Sequence, residues 1–299
     1  MTRVLVVGTT GMLGSMVYDW LGRNKGIELF STARSSDEAR ELRFGSASTI
    51  QAVDAERGDT PRLDGVDWVV NCAGVIKPYI RDSNRDEVRR AIEVNSVFPM
   101  RLAAAAEASG SKVLQIATDC VYSGRDGNYA ETAPHDATDA YGKTKSMGEV
   151  ESPNVRHLRC SIIGPQLKGK DSLLHWFLGQ KEGATLNGFR NHSWNGVTTL
   201  HYAKLCEAII SGGIQLPQVL HVVPSGDITK ASLLRSFARE YRRADLVIND
   251  TDAASVVDRR LSTTNAGVNS ALWKAAGYPT PPTVEAMVGE LARYPFRAE

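Results

Sequence analysis

The sequence predicts an α/β protein: a doubly wound parallel sheet carrying a small, interleaved C-terminal lobe. Three observations lead there. Short apolar or β-branched runs alternate with helix-like stretches through the first half of the 299 residues, the pattern of parallel strands whose crossovers cover both faces of a sheet. A glycine-rich turn follows the first such run at the extreme N-terminus. From Gly164 onward the alternation breaks, and Pro165, Gly169, Gly183, Gly188 and Gly196 punctuate shorter elements.

Val4 to Val7 reads as the first strand and Met12 to about Asn24 as the first helix. Ile27 to Thr32 is the second strand, a weaker third lies near Leu42 to Phe44, and Val66 to Asn71 is a strong fourth. A long helix should start at Asn84, where Asn84-x-x-Glu87 has the form of a capping box, and run to Ser109-Gly110. Val113 to Ala117 is the fifth strand, Asp139 to Val150 a helix, and Val155 to Arg159 the sixth strand. These divide the chain into a dinucleotide-binding unit over 1–163, to which some later segments return, and a mainly substrate-binding lobe over 164–299. Within the lobe, Leu186 to Thr199 reads as a loop-rich polar and aromatic insertion. There are no internal repeats or long linkers.

Composition excludes several classes. With 42% hydrophobic and 23% charged residues, the chain is an ordinary globular one. The 35 basic residues barely exceed the 34 acidic ones, so a nucleic-acid partner is not expected and any anionic ligand must be gripped locally. Cys72, Cys120, Cys160 and Cys206 are far apart, with no C-x-x-C pair and no histidine at ligand spacing. They read as small buried thiols in a reducing compartment; the sequence shows no dedicated metal cluster and leaves a magnesium requirement open. No run approaches ~18 apolar residues and no signal peptide precedes the first strand, so a cytoplasmic protein without a membrane partner is expected.

After the first strand stands Gly8-Thr9-Thr10-Gly11-Met12-Leu13-Gly14, a G-x-x-G-x-x-G. Glycine is needed where strand turns into helix and where backbone must touch a pyrophosphate; the first N–H groups of the helix then face the phosphate oxygens. A glycine triplet alone is a weak signal, but between a β-branched strand and an amphipathic helix it has the context of a Rossmann-type loop. Gly8, Thr10, Gly11, Met12, Leu13 and Gly14 are therefore candidate cofactor contacts. The second strand ends in Ser31-Thr32-Ala33-Arg34 without a carboxylate, where an acidic residue would bind a ribose 2′-hydroxyl. Arg34 suits a 2′-phosphate instead, which favours NADPH over NADH. Cys72, Ala73 and Gly74, closing the fourth strand, are small enough for a flat cofactor to lie against the backbone.

Tyr141 and Lys145 stand four apart early in a helix, on one face. An ammonium ~4 Å from the phenol would interact by about 4 kcal/mol at an effective dielectric of ~20, lowering the tyrosine pKa from ~10 towards ~7. Such a tyrosine can trade a proton with a substrate oxygen. Thr118, where the fifth strand ends, is placed to offer its hydroxyl to a carbonyl oxygen.

These stretches, with A-T-D-C-V-Y-S-G from Ala117 and Y-G-K-T-K-S-M-G-E from Tyr141, resemble the extended short-chain dehydrogenase/reductases, and within them the dTDP-4-dehydrorhamnose reductase branch. Weaker correspondences at Gly164-Pro165, Asn187 to Thr199, Leu220 to Val223 and Asp258-Arg259-Arg260 carry the resemblance through essentially the whole chain. It implies a Thr118, Tyr141 and Lys145 triad assisted by Asn95, with Tyr141 and Lys145 also touching the cofactor. The implied reaction is reduction of the keto group of a nucleotide-linked 4-keto-6-deoxysugar. Four positions depart from the branch. Cys120 stands for an aromatic residue, Ile162 for a tryptophan and Leu261 for a proline, and Phe44-Gly45-Ser46 lacks an acid. Two of them would line the sugar pocket, which points to a different deoxysugar.

Asp119, Trp194 and Arg260 are candidate substrate contacts, Trp194 to stack on a base or sugar face and Arg260 to pair with a diphosphate. Pro99, which lacks an N–H, should bend the long helix and free the Asn95 carbonyl for a water leading to Lys145. A nucleotide-sugar epimerase or dehydratase, and a non-catalytic NADP-binding regulatory subunit, are the alternative functions; a homodimer is left open.

Overall fold

The computed structural model describes residues 1–35, 37, 49–169 and 171–296. Its strands are β1 (Thr2–Val7), β2 (Ile27–Ala33), β3 (Ile50–Ala52), β4 (Trp68–Asn71), β5 (Lys112–Ala117), β6 (Val155–Arg159), β7 (Ile162–Ile163), β8 (Thr185–Phe189), β9 (His192–Trp194), β10 (Val197–Thr198), β11 (Val219–His221), β12 (Ile228–Thr229), β13 (Val247–Thr251) and β14 (Val257–Asp258). The helices are α1 (Met12–Leu21), α2 (Arg85–Ile92), α3 (Phe98–Ser109), α4 (Ala140–Met147), α5 (Leu173–Leu178), α6 (Thr199–Gly212), α7 (Lys230–Glu240), α8 (Ala266–Ala275) and α9 (Val284–Arg293).

Seven strands form one parallel sheet in the order β11-β6-β5-β4-β1-β2-β3. Side chains of β1 alternate between its two faces, as strand geometry requires. Val4 and Val6 join the core that holds Met16 and Val17 of α1 and Tyr202 and Leu205 of α6. Leu5 and Val7 join Phe98 and Leu102 of α3 on the other face. Each such side chain, fully buried, contributes about 1.5–3 kcal/mol, so the sheet is held from both sides. After β3 the chain crosses to the far side of β1 and enters β4. The strand order therefore reverses between β1 and β4, where ligands of open α/β sheets bind beyond the strands' carboxyl ends.

Several sequence expectations change in detail. The third strand expected near Leu42 to Phe44, and the departure at Phe44-Gly45-Ser46, lie outside the described residues. The long helix from Asn84 is capped as expected, the Asn84 carboxamide oxygen accepting from Asp86 and Glu87 N–H. It is interrupted, however, by a π-turn over Glu93–Val97, in which the Phe98 N–H donates to the Glu93 carbonyl. Pro99 explains the break, having no N–H for the Asn95 carbonyl. That carbonyl faces Gly148, where a Cβ would stand 1.9 Å from it, and so closes the contact between helices. The helix predicted to reach Val150 stops at Met147.

Leu186 to Thr199 is not a loop-rich insertion. It supplies β8, β9 and β10 to three small sheets, β13-β8, β12-β9-β14 and β10-β7. Strands of two to five residues are too short to show a period, which is why the segment read as irregular. The later half also returns to the large sheet, giving it β11 and covering β1 and α1 with α6. Among the described residues, no helix is long and apolar enough to cross a membrane.

Candidate active site

The glycine loop sits at the reversal of strand order. Gly8 takes φ +76°, and a Cβ there would lie 3.0 Å from the backbone of Ala73, so the ends of β1 and β4 touch through a residue without a side chain. A Cβ on Gly14 would stand 2.2 Å from the Gly8 carbonyl oxygen; that absence lets α1 start directly against the loop. The N-cap of α1 is Gly11, which offers no side-chain acceptor, and no acidic residue lies in the first turn. The positive end of α1 is thus left open to an anion. Thr32 braces the loop from β2, its hydroxyl accepting from Gly8 N–H at 3.1 Å. Arg34, just beyond β2, is exposed. The close backbone approach and the uncapped helix fit a dinucleotide pyrophosphate.

The second half of the site forms where β5 ends. Thr118 (7% exposed) accepts from Cys120 N–H and donates to the Asp119 carboxylate, both at 3.2 Å. Helix α4 begins over this turn because Asp139 caps it, accepting from Gly142 N–H at 2.8 Å and from the Lys77 ammonium at 2.6 Å. Gly142 must be small, since a Cβ would meet the Cys120 carbonyl at 2.3 Å. The cap and this contact bring Tyr141 beside Thr118, whose hydroxyl hydrogen-bonds the phenol. Lys145 is buried (7% exposed) and donates to the Ile116 carbonyl of β5 at 3.0 Å.

The electrostatics differ from the expectation drawn from Y-x-x-x-K spacing. The phenol of Tyr141 is pushed well up rather than down: burial dominates and the nearby Cys120 adds to it, while the Thr118 hydrogen bond works the other way. The spacing argument omitted desolvation, and the ammonium it relied on is turned to the Ile116 carbonyl. Tyr141 is consequently a fully protonated acid at neutral pH. Burial lowers Lys145 to about 8, against the raising influence of Glu149 and Cys72.

Other candidates are placed as follows. Asn71 of β4 accepts from Ala73 N–H at 3.1 Å and fixes the Cys72-Ala73-Gly74 turn. Asn95 is buried, but its carboxamide is occupied: it accepts from Val75 N–H at 2.8 Å and donates to the Val75 carbonyl and the Thr144 hydroxyl. It ties the turn after β4 to α4, and neither its side chain nor its carbonyl is bonded to Lys145. Asp119 is buried beside Thr118, and burial raises its pKa while the Arg259 charge lowers it. Trp194 is half-buried, its ring over Gly196 and against the main core.

Arg260 is drawn away from the expected role. Its guanidinium is held by Asp258 at 2.6 Å and Asp227 at 3.2 Å. Its neighbour Arg259 instead donates to the Tyr122 and Ser123 carbonyls at 3.0 and 3.2 Å, and its charge acts on Asp119, Cys120 and Asp139. Adjacent residues of an extended segment point to opposite sides, and sequence alone does not say which side faces the site. A surface concavity of about 830 Å³, lined by Met1, Gly26, Trp68 and Lys112 among others, lies at the strands' amino ends, opposite this chemistry. Among the described residues no group of three or more histidine, cysteine or acidic side chains could hold a metal ion.

Comparison with known proteins accords with this geometry. The chain is 32% identical over 175 residues to methionine adenosyltransferase 2 subunit beta of Danio rerio, covering 54% of this chain and 48% of that one. It is 32% identical over 148 residues to dTDP-4-dehydrorhamnose reductase of Streptomyces griseus, covering 49% and 43%. These matches span about half the length of the curated relatives. Among solved structures, dTDP-4-dehydrorhamnose reductase of Bacillus anthracis, determined in complex with NADP, superposes with a TM-score of 0.71 at 16% identity, over 97% of this chain and 98% of that one. It shares the Rossmann-like fold. The model of the RmlD substrate binding domain matches residues 1–293, and the chain belongs to that family.

Proposed function

We propose that this protein is an NADPH-dependent reductase of the keto group of a nucleotide-linked 4-keto-6-deoxysugar. One observation carries the reading: Thr118, Tyr141 and Lys145 gather at the carboxyl end of β5, beside the turn after β4 that meets the glycine loop. The loop and the open end of α1 hold the dinucleotide pyrophosphate, and Ala73 and Gly74 leave room for its flat part. The bound nicotinamide supplies the hydride. Thr118 orients the keto oxygen by hydrogen bonding, and Tyr141, kept protonated by burial, delivers the proton that completes the alcohol. Lys145, buried and tied to the Ile116 carbonyl of β5, would hold the nicotinamide ribose. Asn95 is a positioning residue, joining the turn after β4 to α4. Arg259, whose guanidinium donates to the Tyr122 and Ser123 carbonyls, is better placed than Arg260 for an anionic part of the substrate.

The direct test is purified protein with NADPH and a panel of nucleotide-linked 4-keto-6-deoxysugars, following the reduced nicotinamide absorbance. A fall with at least one sugar is expected. NADPH binding with no turnover of any member would favour a regulatory subunit, and NAD retained through purification would favour an epimerase.

Arg34→Asp is expected to shift preference from NADPH towards NADH, because a carboxylate repels a 2′-phosphate and accepts from a 2′-hydroxyl. The ratio of kcat/KM for the two cofactors measures it; an unmoved ratio would show Arg34 to be surface only. The Lys145 ammonium is present below about pH 8 and lost above it. Turnover should therefore hold at neutral pH and fall as pH rises through about 8; a flat profile to pH 9.5 would remove Lys145 from the mechanism.

A further inference from the structure

Two segments leave the carboxyl edge of the sheet on either side of β5, the strand that leads to Thr118. One follows β4 and the other follows β6 and β7, and β4 and β6 are the two neighbours of β5. The segments also lead to opposite faces. The first enters α2 and then α3, whose Phe98 and Leu102 pack with Leu5 and Val7. The second enters α5, whose Leu174 and Phe177 belong to the core of Val4, Val6, α1 and α6. Yet the two meet: the Tyr79 hydroxyl donates to the Asp171 carboxylate. A bond between segments that start on both sides of β5 and end on both faces passes over the strand ends, where the triad lies.

The Tyr79 side has a firm base. The Asn95 carboxamide holds Val75 at its N–H and its carbonyl, at 2.8 and 3.0 Å. The Lys77 ammonium reaches Asp139, the cap of α4, at 2.6 Å, and the Asp82 carboxylate accepts from Ala140 N–H at 3.2 Å. Residues 76–82 thus rest on the turn of α4 that carries Tyr141. Their regular structure is one 3₁₀ turn, Lys77–Tyr79, and Ile76 and Tyr79 stay exposed, at 36% and 43%. On the opposite side Gly169 takes φ +79°. A Cβ there would stand 3.0 Å from the Asp171 carboxylate and 3.5 Å from the Tyr79 hydroxyl, so the missing side chain leaves the bond room.

We propose that residues 76–82 form a strap across the substrate seat, with the Tyr79–Asp171 hydrogen bond as its latch. Open, the strap admits the sugar nucleotide; closed, it shuts out water and retains the substrate through hydride transfer. The proposal rests on the reading of the site as a keto-sugar reductase. A single charge-assisted hydrogen bond at the surface suits the task, because it can break and re-form while the anchors at Val75, Lys77 and Asp82 hold.

The test measures how fast a bound sugar nucleotide escapes. Dissociation from the complex with NADP⁺, which has no hydride to give, is followed by stopped flow for wild type, Tyr79→Phe, Asp171→Asn and the double variant. The probe is dTDP-4-dehydrorhamnose, or the panel member that is reduced in its place. Both residues are exposed, so the variants should fold normally. Each single substitution should speed dissociation about tenfold and raise KM, while NADPH affinity without sugar should move less than about threefold. In the double variant the effects should not multiply, because the first change already opens the latch. Unmoved dissociation in both single variants, or effects that multiply in the double, would overturn the strap alone, since wild type still reduces the probe. A wild type that neither binds nor reduces any member of the panel overturns the reductase reading, and the strap with it.

Discussion

Tyr141→Phe is expected to lower turnover by ~100-fold or more while NADPH affinity stays within a factor of about two. The substitution removes only the hydroxyl and keeps the shape of the ring. Burial of an unionised phenol means that no charge is lost from the ground state, and folding should be unaffected. The loss should be uniform across neutral pH, since the phenol ionises far above that range. A variant retaining more than a tenth of the rate would show that a different acid, with Thr118 or Asp119 the nearest, serves the keto oxygen.

Gly14→Ala should have the other large effect, on cofactor binding. Its new methyl would stand 2.2 Å from the Gly8 carbonyl oxygen, 2.7 Å from the Gly8 carbonyl carbon and 3.0 Å from Thr9 Cα. All three are backbone atoms of a loop already pinned by Thr32 and Ala73, so α1 must move away. Overpacking of this kind costs about 1–3 kcal/mol, a fall in Tm of roughly 5 °C for a chain this long. The displaced helix end no longer aims its N–H groups at the pyrophosphate, and NADPH affinity should drop about tenfold or more. Titration of the variant beside Gly267→Ala, at a glycine with open space, isolates the effect. Equal affinities would mean that the helix–loop contact does not shape the cofactor site.

The parts of this molecule that could be read in the sequence are those whose chemistry is local. The strand–glycine–helix passage from Val4 to Gly14 and the Tyr141–Lys145 spacing each fit within one element and its neighbouring turn. Thr118 was recognisable from its place at a strand end. What escaped depends on partners distant in the chain. Arg159 reads as the last polar residue of a strand, and only the fold brings Glu149, His135 and His221 to it. The choice between Arg259 and Arg260 turns on which side of an extended segment meets Asp258 and Asp227. The direction of the Tyr141 shift was missed because desolvation comes from everything packed around a group, and a spacing shows only one neighbour. Asn95 carries its reason in Val75, a turn beyond β4, and in Thr144 of α4, beyond α3 and β5.

The seventh strand has a consequence for how the chain is made. β11 lies at the edge beside β6, yet its residues, Val219–His221, leave the ribosome some sixty positions after β6 is complete. A shorter delay, some forty positions, holds for α6, which covers Val4, Val6 and α1. Until both have emerged, the nascent sheet shows an open backbone edge and an unshielded apolar face, the two features that recruit wrong partners. The cofactor half therefore lacks its last strand and one of its covering layers until these later segments are made. A ribosome stalled near residue 165 would hold a fragment with the glycine loop and the triad already synthesised, and without the layer that keeps them in register.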